Sequence, residues 1–155
     1  LLGKRQWAWL EKSLKESTAP YKVLACGMIF NSATRPGKTD YWGDYPTEYF
    51  RLLSIIKKHT VQGVALVSGD IHWSRVIQHD TKKLIGYDLI EFITSPIHEK
   101  LIPLANATHE GDVFSVGEIN SFLLVEATHN DEVNSLQMTI TNAAGKNLFT
   151  YTFSD

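Results

Sequence analysis

Apolar residues recur at helical spacing near the start of the chain, at Trp7, Leu10 and Leu14, with Lys4, Glu11, Lys12 and Lys15 on the other faces. That pattern predicts an amphipathic helix running to about Glu16. Ser17-Thr18-Ala19-Pro20 ends it, because proline disfavours helical backbone in the residue before it. Tyr21-Lys22-Val23-Leu24-Ala25-Cys26 then reads as a strand. Residues 31–45 form a polar loop containing Gly and Pro, long enough to suggest a functional role. Pro46 at a first helical position, with Glu48 in the first turn, opens a second helix. Phe50, Leu53 and Ile56, with Leu52 and Ile55, give it an apolar face that ends near His59. Val64-Ala65-Leu66-Val67, bounded by Gly63 and Gly69, suits a strand covered on both faces. Strand, loop, helix and strand in this order favour parallel pairing.

Beyond this point strands dominate. Residues 75–78 and 84–94 are predicted to pair across the turn at 79–83, and 97–104 to form a short helix or loop. Residues 122–127, 136–141 and 148–153 predict an antiparallel meander, with Asn142-Ala143-Ala144-Gly145 as a hairpin connection. Leu136, Met138 and Ile140 alternate with Gln137, Thr139 and Thr141, which predicts one buried and one wet face. No repeat, low-complexity segment or linker divides the chain. The expected class is α/β with α+β elements, in a single domain.

The Val64 run leads directly into Ser68-Gly69-Asp70-Ile71-His72-Trp73-Ser74. In open α/β sheets, ligands gather beyond the carboxyl ends of the strands. In extended backbone Asp70 and His72 would point to one side and Ile71 to the other, so the two polar residues can share one ion. Turn chemistry explains the same residues, with Asp closing a local hydrogen bond and Gly supplying an unusual backbone angle. Two donors also fall short of the three or four usual for a tightly held transition metal.

Val67-Ser68-Gly69-Asp70-Ile71-His72 resembles the last metal-binding block of the PhoD-type alkaline phosphatases and phosphodiesterases. These belong to the calcineurin-like metallophosphoesterases, most of which carry Gly-His-x-His at that place. Leu2-Gly3-Lys4-Arg5-Gln6-Trp7-Ala8-Trp9-Leu10 is similar to the family's Leu-Gly-x-x-Gln-x-x-Trp-Leu helix opening. Trp42-Gly43-Asp44-Tyr45-Pro46-Thr47-Glu48 resembles its Trp-x-x-Phe-Pro-x-Glu segment, and Glu91-Phe92-Ile93-Thr94-Ser95-Pro96 its Glu-x-Thr-Ser-Ser-Pro segment. The four blocks fall in the family's order between Leu2 and Pro96.

The resemblance implies the C-terminal half of a layered β-sandwich flanked by helices and ending in the meander. It implies metal-dependent hydrolysis of phosphate mono- or diesters, with Asp70 and His72 as metal ligands and a small phosphoester as substrate. Two or more metal ions are implied, iron with calcium in the first place, with manganese or zinc as alternatives. It points to a periplasmic or secreted setting. The family's remaining ligands lie in Asp-rich and Asn-containing loops of an N-terminal half that has no counterpart here. The chain therefore reads as the C-terminal portion of a longer enzyme, inactive by itself and without an identifiable catalytic residue of its own. Tyr49 stands where the family commonly has an arginine, which puts an ion pair at that place in doubt.

Asp70 is a hard oxygen donor suited to calcium, manganese, zinc or ferric iron, whereas the His72 imidazole favours a transition metal. His72 needs a partner on its other ring nitrogen to fix the tautomer. Candidate substrate contacts are Trp73, Ser74, Arg75, Ser95 and His98. Trp73 either walls the pocket or packs beneath the loop. Arg75 either reaches a phosphate bidentately or faces solvent as a strand residue. Thr94, Ser95 and His98 line the same mouth if the strand ends are adjacent; otherwise His98 is a surface residue. His59, His79, His109 and His129 receive no functional assignment. Trp42 and Tyr45 read as stapling the long loop to the core, and Cys26, the single cysteine, as a small core residue.

Composition narrows the alternatives. With 155 residues, 43% of them hydrophobic and 21% charged, the chain is long and apolar enough for a real core. A net charge of -2 leaves no electrostatic footprint for nucleic acid or an anionic membrane. No apolar run approaches the about 18 residues of a membrane span, and Leu1-Leu2-Gly3-Lys4-Arg5 opens straight into the amphipathic pattern with no signal-peptide signature. A serine hydrolase is excluded, because Ser68-Gly69-Asp70 lacks the Gly-x-Ser-x-Gly elbow. A noncatalytic binding or structural module built on the same fold remains as the alternative to a phosphoesterase.

Overall fold

The computed structural model describes residues 1–31, 34–129 and 133–154. Helix α1 (Lys4–Glu16) buries Trp7, Leu10 and Leu14, as its periodicity demands. Helix α2 (Pro46–Lys58) buries Leu52, Leu53, Ile55 and Ile56. Phe50 departs from expectation and is 58% exposed. It sits two residues before Leu52, more than half a helical turn away, and so leaves the buried face. With Tyr49 and His79 it lines a cavity of about 800 Å³.

A five-stranded sheet carries the centre of the molecule. It contains β1 (Lys22–Ala25), β2 (Val64–Ser68), β3 (Ser74–His79), β4 (Leu89–Ile93) and β5 (Asp112–Val116), in the order β1-β2-β4-β3-β5. Strands β1, β2 and β4 are parallel, so their carboxyl ends share one rim. Strand β3 runs antiparallel to both β4 and β5 and therefore starts at that rim. The second sheet is the expected meander of β6 (Ser121–His129), β7 (Asn134–Asn142) and β8 (Asn147–Ser154).

Each face of the central sheet has its own core. Ala65, Val76, Ile90 and Phe92 pack against Leu136, Met138 and Ile140 of β7, forming the sandwich interface. Leu66 and Leu89 face the other way, under Trp7, Leu10, Trp42, Leu52 and Ile56. The result is a mixed α/β sandwich in layers: helices, mixed sheet, meander. Trp42 does staple the long loop, stacking on Phe30 at 5.0 Å and meeting Trp7 edge-on at 6.2 Å. Tyr45 does not; it is 42% exposed, and its carbonyl accepts the first N–H groups of α2 from Glu48 and Tyr49. Cys26 lies just past β1, half-buried, and its Sγ accepts the Trp42 indole N–H at 3.5 Å.

Three other expectations are corrected. The run 84–94 is not one strand, because helix α3 (Lys82–Ile85) intervenes and closes on Gly86 in left-handed backbone. The Asp88 carboxylate directs this turn by accepting the N–H groups of Thr81 at 3.1 Å and Lys82 at 2.8 Å. Strand β5 is additional; as a short edge strand with a bulge opposite Val76 and Ile77, it shows no clean alternation. On β7 Thr139 and Thr141 are buried, and of the expected wet face Gln137 alone is exposed. Their hydroxyls are satisfied laterally, by Thr150 and Asn147 of β8, each at 3.2 Å. No helix among the described residues is long and apolar enough to cross a membrane.

Candidate functional site

The rim where β2 and β4 end and β3 begins holds the loop of residues 69–73. Its backbone is not extended: Asp70 (φ 63°) and His72 (φ 59°) are both left-handed. Alternation along a strand is therefore not what turns the two side chains outward. Ile71 is fully buried among Ile29, Ile77, Ile93 and Ala105 and anchors the loop between them. Left-handed backbone costs a non-glycine residue about 1–3 kcal/mol and persists only where neighbours fix it. Here they do. The His72 N–H donates to Ser95 Oγ at 3.0 Å, and its carbonyl accepts the Ile102 N–H at 3.2 Å.

Asp70 is held from the long loop. Lys38 Nζ lies 2.7 Å from Asp70 Oδ2 and 2.7 Å from Asp40 Oδ1, and Arg35 Nη1 reaches the Asp70 carbonyl at 3.3 Å. Burial works against the Lys38 charge, but the two carboxylates outweigh it and push its pKa up. The Asp70 side chain remains 57% exposed. His72 Nδ1 lies 2.9 Å from the Lys100 carbonyl oxygen, which can only accept. The ring proton therefore sits on Nδ1 and the Nε2 lone pair is left for a ligand. This carbonyl is the partner that sequence could not supply.

His98 lies against His72, with ring centroids 4.6 Å apart and nearly perpendicular planes. Its Nδ1 accepts the Lys100 N–H at 3.0 Å, so its own proton sits on Nε2. One ring presents a lone pair and its neighbour an N–H. Trp73 packs at the rim: Nε1 donates to Ser115 Oγ at 3.0 Å, and the ring covers Gly117. A Cβ at Gly117 would fall 2.4 Å from that ring, so any other residue there would have to displace the indole.

Ser74, Arg75 and Ser95 are buried and stitch the rim together. Ser74 Oγ donates to the Ser95 carbonyl at 3.3 Å and bonds Ser121 Oγ at 2.9 Å. Arg75 does not face solvent. It pairs with Asp112, and its Nη1 donates to the carbonyls of Ala105 at 3.0 Å and Ala107 at 2.7 Å. Thr94 Oγ1 is buried at the same rim with no hydrogen-bond partner among the described residues. Among those residues no three His, Cys, Asp or Glu side chains gather closely enough to hold a metal ion. The donors present fit part of a metal centre: an accessible carboxylate and an imidazole whose tautomer is fixed.

Sequence reasoning missed four residues here. Arg35 and Lys38 lie in the loop whose length marked it as functional, and their positive charge was the available signal. Asn31 and Glu91 are buried beneath that loop. A carboxylate flanked by Leu89, Ile90, Phe92 and Ile93 was the visible anomaly.

Alkaline phosphatase D of Bacillus subtilis (strain 168) is 34% identical to this chain over 91 residues, covering 54% of the chain. The match spans 16% of that protein's length. A family model described as PhoD-like phosphatase matches residues 1–146, and the chain belongs to that family.

Proposed function

We propose that this chain forms one wall of a phosphoesterase site that hydrolyses phosphate mono- or diesters, the rest of the site coming from a longer enzyme. Asp70 and His72 Nε2 would be metal donors in it. A carboxylate with an imidazole suits iron, manganese or zinc, and calcium would draw on Asp70 alone. When bound, the ion supplies neutralising charge at the phosphoryl group and a more acidic water. His98 Nε2–H, beside the metal-facing ring, donates to a phosphoryl oxygen. Arg35, whose guanidinium reaches the Asp70 carbonyl through a long bond at 3.3 Å, adds a second donor for the anion. Trp73 excludes water from the β5 side. Ser95 and Lys100 orient His72, while Ser74 and Arg75 hold the rim and touch no substrate.

The observation carrying this reading is the opposed pair of rings: His72 offers a lone pair, His98 an N–H, at the carboxyl rim of the sheet. The test is metal content by elemental analysis of the purified full-length protein, together with hydrolysis of aryl phosphate mono- and diesters. Stoichiometric metal and metal-dependent turnover are expected. Protein that purifies without metal and turns over neither ester is a noncatalytic module, and the reading fails.

A further inference from the structure

Glu91 lies at the middle of β4 with its side chain fully buried, on the helix-facing side of the sheet. A carboxylate taken out of water is tolerated only if every lone pair is matched. Oε1 accepts the Phe30 N–H at 2.8 Å and the Ser68 hydroxyl at 2.5 Å. Oε2 accepts Asn31 Nδ2 at 2.7 Å and His79 Nε2 at 2.9 Å. Burial alone would raise the Glu91 pKa, yet these donors, His79 foremost, bring it below the usual carboxylate range.

The donors are not scattered. Ser68 ends β2, two residues before Asp70. Asn31 begins the long loop, and its Oδ1 accepts the Thr34 hydroxyl at 2.7 Å and the Thr34 N–H at 3.3 Å. The next residues of that loop, Arg35 and Lys38, close on the Asp70 carbonyl and carboxylate. Two arms thus leave one carboxylate and meet again at Asp70. Behind it, His79 Nδ1 bonds the Tyr49 hydroxyl at 2.8 Å, which fixes the assembly to α2.

We propose that Glu91 is a positioning residue: it sets the Asn31 loop and the Asp70 loop against each other and so fixes the carboxylate that a metal or substrate would meet. The proposal rests on the phosphoesterase reading for its catalytic consequence, but the coupling between the loops can be measured without it. The test uses the full-length protein with Glu91→Gln and Asn31→Ala. Glu91→Gln turns an amide NH2 toward donors and strikes the core. Asn31→Ala leaves the carboxylate three of its donors, cuts one arm, and does not touch Asp70.

Amide exchange is followed by mass spectrometry over residues 69–73, with β7 as internal reference. Asn31→Ala should speed exchange in 69–73 by about 10-fold or more while β7 is unchanged. On an aryl phosphodiester it should lower kcat by about 10–100-fold with KM little altered. Exchange in 69–73 that stays at the wild-type rate, or rises only in step with β7, overturns the proposal even if Glu91→Gln unfolds. A wild-type protein without turnover overturns the catalytic reading, and the exchange result still decides the coupling.

Discussion

Asp70 and His72 sit at left-handed backbone angles on either side of a buried isoleucine, and that conformation decides which substitutions are informative. Asn tolerates such angles better than other side chains, so Asp70→Asn and His72→Asn remove a donor while sparing the backbone. Both should fold with stability within about 1 kcal/mol of wild type, a little less for Asp70→Asn because Lys38 loses one of its two carboxylates. In the full-length enzyme each should lower metal content and phosphoesterase turnover by about 100-fold or more, since orienting residues alone commonly cost about 10–100-fold. Elemental analysis beside turnover checks this, and wild-type values in both variants would remove the pair from the site. His72→Ala is a poorer probe, because alanine at φ 59° adds strain of its own.

The elements differ in how their partners are chosen. On β7, Leu136 packs into the sandwich interface whereas Gln137 faces water opposite Glu126. Leu136→Asp should therefore cost about 3 kcal/mol or more, a buried charge without a partner. Gln137→Asp should cost about 1 kcal/mol at most, from like charge across the strand pair. Equal losses of Tm would show the register to be wrong. Between α1 and the end of α2, Glu11 takes Lys58 at 2.8 Å and His59 at 2.9 Å. These two hold the Glu11 carboxyl down at about 2, against an ordinary 4.5. A depressed folded value stabilises above pH 4.5, and the contribution is lost as pH falls from there toward 2. Glu11→Gln should accordingly lower Tm near neutrality, and the gap to wild type should close in acid. The helices and the meander were legible because each shows its period over many residues. Strand β5 was not, being short and at an edge, and α3 was hidden because Asp88, six residues away, organises its first turn. The Asp70–His72 motif was legible as chemistry but not as geometry, since left-handed angles forced by Ser95, Lys100 and Ile102 leave no local trace.

At the scale of the whole molecule, chemistry is concentrated at one rim and apolar packing at the two sheet faces. Among the described residues no three His, Cys, Asp or Glu side chains are grouped so as to hold an ion, and two donors leave it mostly hydrated, so this chain alone should bind metal weakly and hydrolyse no phosphate ester. Assays of the purified chain with iron, calcium, manganese or zinc, on an aryl mono- and diester, test that directly; turnover rivalling a full-length relative would place a complete site within these residues. The Glu91 cluster joins residues 60 and 61 positions apart, whereas β7 and β8 of the meander are joined by a hairpin of a few residues. Hairpins close in microseconds, and contacts across long stretches of chain must await costly loop closure. The meander is thus positioned to be early in folding and the rim late. What assembles last from distant pieces also has least to lose by briefly coming apart, so newly made chains would acquire the meander before they acquire a usable Asp70.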